Sequence, residues 1–134
     1  PQLPVPDSIA SRLRDICMPM PDVREEAAWV GLRWRIRQQT FAHVLMIDEG
    51  WPPAYAQAAN TAGPACVPTF RSGIPAMDLY AFREAPFFKP NWFPDIVGVF
   101  LDDATDWEEL RSYIRASYRR LAPRKLVEQL NSAG

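Results

Sequence analysis

The chain has 134 residues, enough for one domain with its own core and too few for two of ordinary size. It is 48% hydrophobic and sets 15 Lys and Arg against 16 Asp and Glu, a formal charge of −1. That balance excludes the strongly basic make-up of a dedicated nucleic-acid domain, so any anion binding has to come from local segregation of charge.

A chain of this length buries roughly two thirds of its unfolded surface and needs no disulfide or metal staple. The two cysteines, Cys17 and Cys66, form no CxxC pair and no disulfide framework, and read as reduced thiols. No apolar run approaches the ~18 residues of a membrane span. The first residues lack the basic-then-apolar pattern of a signal peptide. Together these features predict one domain over residues 1–134, cytoplasmic and without a membrane partner.

Pro6-Asp7-Ser8 reads as a helix start, and Ile9, Leu13 and Ile16 continue at helical spacing to about Met18. Met18-Pro19-Met20-Pro21 ends it, and Asp22–Glu26 reads as a short second turn. The stretch Trp29–Asp48 reads as two strands, Leu32–Arg37 and Thr40–Ile47, with the bend at Gln38-Gln39. Gln-Gln lacks the Gly or Asn of a two-residue hairpin, which leaves a longer turn open. Ala54–Asn60 is either a helical turn or a loop. Val67–Arg71 reads as a short strand, Pro75–Glu84 as a short helix, and Phe87–Pro94 as an extended connection packed by its own rings. Asp95–Leu101 is the strongest buried strand pattern, followed by a turn and helix cap in Asp102–Asp106. Trp107–Leu121 has helical spacing, with Trp107, Leu110, Ile114 and Leu121 on one face. Pro123 interrupts it before a last helical segment, Arg124–Leu130. Helix, strands, then helices predicts an α+β domain: a twisted antiparallel sheet with N-terminal and C-terminal helices packed on it.

Two sets of arginines carry the functional reading. On the first strand, Arg33, Arg35 and Arg37 alternate with Trp34 and Ile36. Alternation sends the guanidinium groups to one face and the apolar pair to the core. Arg111, Arg115 and Arg119 repeat every four residues along one helix face, and no acidic residue lies between Arg111 and Lys125. Guanidinium forks suit phosphate oxygens, so both sets are candidate DNA contacts. The competing reading is a solvated surface, with the strand arginines paired to carboxylates such as Glu25 and Glu26.

A second class of function rests on the aromatic residues Trp51, Tyr55, Phe87, Phe88 and Trp92, which could line a small-molecule pocket. A module that only contacts other proteins is a third reading. Asp102, Asp103, Asp106, Glu108 and Glu109 place five carboxylates in eight residues, without the spacing or glycine of a calcium loop. A helix N-terminus attracts such acids by itself. His43, the single histidine, is expected to be a packed, hydrogen-bonded strand residue. No GxSxG, phosphate-binding loop or Cys-His pairing is present, so no enzyme, metal or cofactor is predicted.

The ordered pieces Met20–Glu26 with Trp29-Val30-Gly31, Trp34–Arg37 with Thr40–Val44, Phe88–Trp92 with Val97-Gly98-Val99, and Trp107–Leu110 with Ser117-Tyr118 and Leu121–Lys125 resemble the MmcQ/YjbR family of small bacterial proteins. The resemblance spans about residues 9–127. It implies a compact α+β fold, similar in outline to the frataxin-like fold. It also implies a DNA-binding role of double-wing type, in which β-hairpins approach the duplex. Arg33, Arg35 and Arg37 fall on the matching hairpin and Lys125 on the matching C-terminal lysine. The chain departs from the family pattern at Gln38-Gln39, which takes positive charge off the hairpin tip.

Overall fold

Six strands form one open sheet in the order β1-β2-β3-β4-β6-β5, every neighbouring pair antiparallel. The computed structural model describes residues 3–72 and 85–133. In chain order these contain α1 (Asp7–Cys17), β1 (Arg24–Ala27), β2 (Leu32–Ile36), β3 (Gln39–Ile47), α2 (Pro53–Ala59), β4 (Ala65–Arg71), β5 (Phe87–Phe88), β6 (Ile96–Val99), α3 (Trp107–Leu121) and α4 (Arg124–Ser132). The expected α+β class, with an antiparallel sheet and helices at both ends, is the observed one. The helix expected over Pro75–Glu84 lies outside the described residues.

The pleat sorts the sheet into two faces. Trp34 and Ile36 of β2, Ala42 and Val44 of β3, Phe70 of β4 and Val97 and Val99 of β6 pack with Leu13 and Cys17 of α1, Leu110, Ile114 and Tyr118 of α3, and Leu126 and Leu130 of α4. Leu45, Ile47 and Val67 point the other way and form a smaller core with Val30, Ala59 of α2 and Phe88. Three helices thus cover one face. Among the described residues, α2 and the chain around Phe88 pack on part of the other.

Each long helix follows its local signals. α3 is capped by Asp106, whose Oδ1 accepts from the Glu109 backbone N–H at 3.0 Å. Ser117, fully buried on the same helix, ties it to the sheet. Its hydroxyl donates to the Phe41 carbonyl at 2.7 Å and accepts from the Arg71 N–H at 2.9 Å. Phe41 is the extra residue of a bulge, since β2 pairs Trp34 with Ala42 but Arg35 with Thr40. Ser117 therefore bonds the carbonyl of the bulge residue itself.

Two local expectations need correction. Residues 24–27 form an edge strand rather than a helical turn, because Glu25 sits opposite Trp34 and Glu26 opposite Arg33 in register with β2. The β2–β3 bend falls on Arg37-Gln38 rather than Gln38-Gln39, with Arg37 at φ 55°. This left-handed position is one that non-glycine residues seldom adopt. Arginines compensate for the poor turn chemistry: Arg24 Nη2 donates to the Arg37 carbonyl at 2.9 Å and Arg35 Nη2 to the Gln38 carbonyl at 2.7 Å.

Candidate functional site

The face of the sheet away from α1, α3 and α4 holds a cavity of about 410 Å³. Its floor comes from adjacent strands in register: Arg33 of β2 opposite His43 of β3, and His43 opposite Thr69 of β4. Tyr55 of α2 closes one side. Trp92 and Phe93 close another, on a loop pinned by Lys89, whose Nζ donates to the Pro90 and Phe93 carbonyls at 3.0 and 2.9 Å. Trp29 stands at the rim, on the turn joining β1 to β2, which is closed by the Ala28 N–H on the Gly31 carbonyl at 3.0 Å. Gly31 has φ 73°, and a Cβ there would collide with the Val44 carbonyl, so this turn requires glycine.

The rings contact one another as well as the cavity. Tyr55 and Trp92 meet edge to face with centroids 4.9 Å apart. Trp29 lies 5.3 Å from Trp51. The Arg71 guanidinium sits 4.7 Å over the Phe93 ring. Trp29, Trp51, Trp92 and Phe93 remain 78, 38, 36 and 48% exposed. They are four of the six large hydrophobic side chains left exposed among the described residues, the other two being Leu3 and Met18. Protein surfaces seldom gather their exposed aromatics at one place unless that place binds something.

The polar groups of the floor are spoken for in a specific way. His43 Nε2 lies 2.6 Å from the Val30 carbonyl. A carbonyl only accepts, so Nε2 carries the proton and Nδ1 accepts from the Tyr55 hydroxyl at 3.3 Å. Burial lowers the His43 pKa below its ordinary value; the bond to Val30 opposes the shift and the charge on Arg33 reinforces it. Burial raises the Tyr55 pKa. Both groups are therefore neutral near pH 7.

Each of the two carboxylates at the edges of this floor is shared by two arginines. Glu26 Oε1 lies 2.9 Å from Arg33 Nη2 and 3.5 Å from Arg35 Nη1. Burial works against the charged form of Glu26, but the Arg33 hydrogen bond and the charges of Arg33, Arg35 and Arg24 win, and its pKa is lowered. Asp95, buried, takes Arg71 on Oδ1 and Arg120 on Oδ2, both at 2.9 Å. Its pKa is likewise lowered, the two guanidiniums outweighing burial.

The strand arginines thus sit beside carboxylates supplied by neighbouring segments: Glu26 for Arg33 and Arg35, and Asp22 for Arg37 at 3.3 Å. Glu25 is taken by Arg14 and by the Trp34 indole N–H, each on Oε1. Arg111, Arg115, Arg119 and Lys125 lie on α3 and α4, which pack on the opposite sheet face from Arg33 and Arg35. Arg119 Nε donates to Asn131 at 3.2 Å, and no carboxylate pairs with Arg111 or Arg115 among the described residues. Burial, then the charges of Arg119 and Arg111, lower the Arg115 pKa.

The aromatic residues singled out from the sequence also divide. Tyr55 and Trp92 line the cavity, and Trp51 backs its rim. Phe88 is buried over Gly98 in the smaller core. Phe87 borders a different concavity of about 600 Å³ beside Tyr113, Asp106 and Glu109. The acids there already have work: Asp106 caps α3, Glu109 accepts from the Tyr113 hydroxyl at 2.6 Å, and Asp102 accepts from the Ala104 N–H at 2.8 Å. Among the described residues, no three His, Cys, Asp or Glu side chains converge as a metal site. Cys17 and Cys66 are free thiols whose pKa values burial raises, that of Cys66 to about 11. Cys66 belongs to the helix-covered side, away from the cavity.

Sequence reading missed Trp29, Thr69, Arg71 and Phe93. Each is ordinary in its own segment, and only strand register and the Lys89-pinned loop bring them to Tyr55 and Trp92. A comparison with models of known protein families matches none, and a comparison with curated proteins finds no match. No helix among the described residues is long and apolar enough to cross a membrane.

Proposed function

We propose that this is a non-enzymatic small-molecule-binding protein whose ligand occupies the cavity between Trp29, Tyr55 and Trp92. The observation that carries the reading is the gathering of three exposed aromatic side chains, Trp29, Trp92 and Phe93, around one concave, mixed-polarity site of about 410 Å³, with Trp51 against Trp29 behind them. Support for binding without catalysis comes from the floor: both His43 ring nitrogens are engaged, and the Tyr55 phenol is kept protonated by burial. A cytoplasmic location and kinship with the MmcQ/YjbR family go with this proposal, the latter on the ordered motifs of the sequence. Proton–nitrogen NMR spectra recorded with planar heteroaromatic fragments provide the test. Shifts should concentrate at Trp29, His43, Thr69 and Trp92 and vanish in Trp92→Ala; shifts scattered elsewhere, or none, reject the cavity.

A second reading, DNA binding through phosphates, is favoured by one observation: the run Arg111, Arg115 and Arg119, whose charges disfavour one another. Arg33 and Arg35 lie across the sheet from this run, so a straight duplex meets one set at a time. Neutralising about four phosphates gives a log–log salt slope near −3.6. Charge reversal at Arg111 and Arg115, compared with reversal at Arg35 and Arg37, tells which set is used, and unchanged affinity in both rejects the reading.

A further inference from the structure

We infer that the cavity takes a planar aromatic acid, with its ring among Trp29, Tyr55 and Trp92 and its anionic group on Arg33; this rests on the small-molecule reading above. The argument is one of charge balance. Among the described residues the cavity is lined by two arginines, Arg33 and Arg71, and by no carboxylate, and the carboxylates behind them are each shared with a second arginine, Glu26 with Arg35 and Asp95 with Arg120. Arg33 and Arg71 both reach the cavity wall. The cluster is also rich in donors. Arg33 spends Nε and Nη2 on a single carboxylate oxygen and has no partner for Nη1 among the described residues. An incoming carboxylate or phosphate-like oxygen supplies an acceptor for Arg33 Nη1.

Arg33 is the better anion partner of the two cavity arginines. Arg71 is fixed between Asp95 and the Phe93 ring. The Arg33 side chain is 37% exposed, stands opposite His43 on the floor and lies next to the Trp29 turn. Among the described residues a cationic ligand finds no carboxylate on the cavity wall. A neutral ring gains the stacking and leaves the surplus charge unmet. The volume suits one or two fused rings with a small acidic group.

Three isosteric probes test this by calorimetry: naphthoate, naphthamide and naphthylmethylammonium, at about pH 7.5, where a carboxylic acid is ionised. Naphthoate should bind at least about tenfold tighter than naphthamide, as a charge-assisted hydrogen bond requires, and the ammonium should be weakest. In Arg33→Gln that preference should fall to about one, through weaker naphthoate binding with naphthamide unchanged. Arg33→Gln leaves Glu26 paired with Arg35, which keeps the edge of the sheet neutralised. Arg124→Gln, which breaks an exposed pair with Glu128 on α4, should leave the preference intact, separating local from net charge. Equal or tighter binding of naphthamide, or a preference that survives Arg33→Gln, overturns the assignment of an acid. If naphthamide still binds in that case and loses affinity in Trp92→Ala, the cavity reading stands without it. If none of the three probes binds, both fall together.

Discussion

The Tyr55 hydroxyl donates to Nδ1 of His43 across 3.3 Å, while Nε2–H of the same ring donates to the Val30 carbonyl at 2.6 Å. One neutral imidazole therefore joins α2, β3 and the turn that carries Trp29. The bonds fix which tautomer is present and hold Tyr55 against Trp92.

This arrangement makes stability pH-dependent in a definite direction. His43 has a lowered pKa in the folded protein, whereas the unfolded chain takes up its proton near pH 6.5. Between those two values the unfolded state binds more protons, so stability falls as pH falls. The His43 contribution is complete above about pH 6.5 and is lost on acidification toward the folded value, with a slope of at most about 1.4 kcal/mol per pH unit. Denaturant titrations between about pH 7.5 and 5 should show this slope, and His43→Gln should flatten it. A wild-type midpoint constant over that range would refute it.

Asp95 acts in the same direction but in a lower pH window. Its pKa is lowered, so its contribution is present above the ordinary aspartate value of 3.8 and is lost as pH drops through the lowered one. Replacing it strands two guanidiniums that are themselves only partly exposed. Asp95→Asn should cost about 2–3 kcal/mol at neutral pH and make the acid limb below about pH 4 shallower. Equal stabilities for variant and parent at neutral pH would show the double pair to be idle.

Ser117 bridges α3 to two strands through a single buried hydroxyl. Ser117→Ala leaves the Phe41 carbonyl and the Arg71 N–H without that partner, in a place that water does not reach. A loss of about 1–3 kcal/mol is expected by chemical denaturation, with the m-value unchanged. A loss below about 0.5 kcal/mol would mean that the neighbouring ladder absorbs both groups.

Gly98 and Phe88 should be coupled. The outer end of the Phe88 ring lies against Gly98, and a Cβ there would overlap it. Gly98→Ala should destabilise by about 1–3 kcal/mol in the parent and by much less in a Phe88→Ala background. Additive effects in the double variant would argue that the clash is relieved elsewhere.

Much of the fold is legible in the residues themselves. α1 and α3 follow from the spacing of Ile9, Leu13 and Ile16 and of Leu110, Ile114 and Tyr118, with Asp106 as cap. β3 and β6 follow from their apolar runs, and the burial of Trp34 and Ile36 follows from their alternation with arginine. These signals are local, because helical and strand periods are written within a few residues of each other. What the sequence could not disclose is pairing. Residues 24–27 look like a polar turn until β2 lies beside them and Glu26 meets Arg33, nine and seven positions respectively separating Glu25 from Trp34 and Glu26 from Arg33. The sequence leaves open whether Arg33 and Arg111 share one surface, and the sheet comes between them. The cavity is the clearest case. Its walls come from a hairpin turn, a short helix and a distant loop; Tyr55 and Trp92 stand out in the sequence, whereas Trp29 and Phe93 do not. Local patterning determined the elements and the α+β class; only strand register and the packing over one sheet face decided which aromatic and charged side chains meet, because those contacts join residues far apart along the chain.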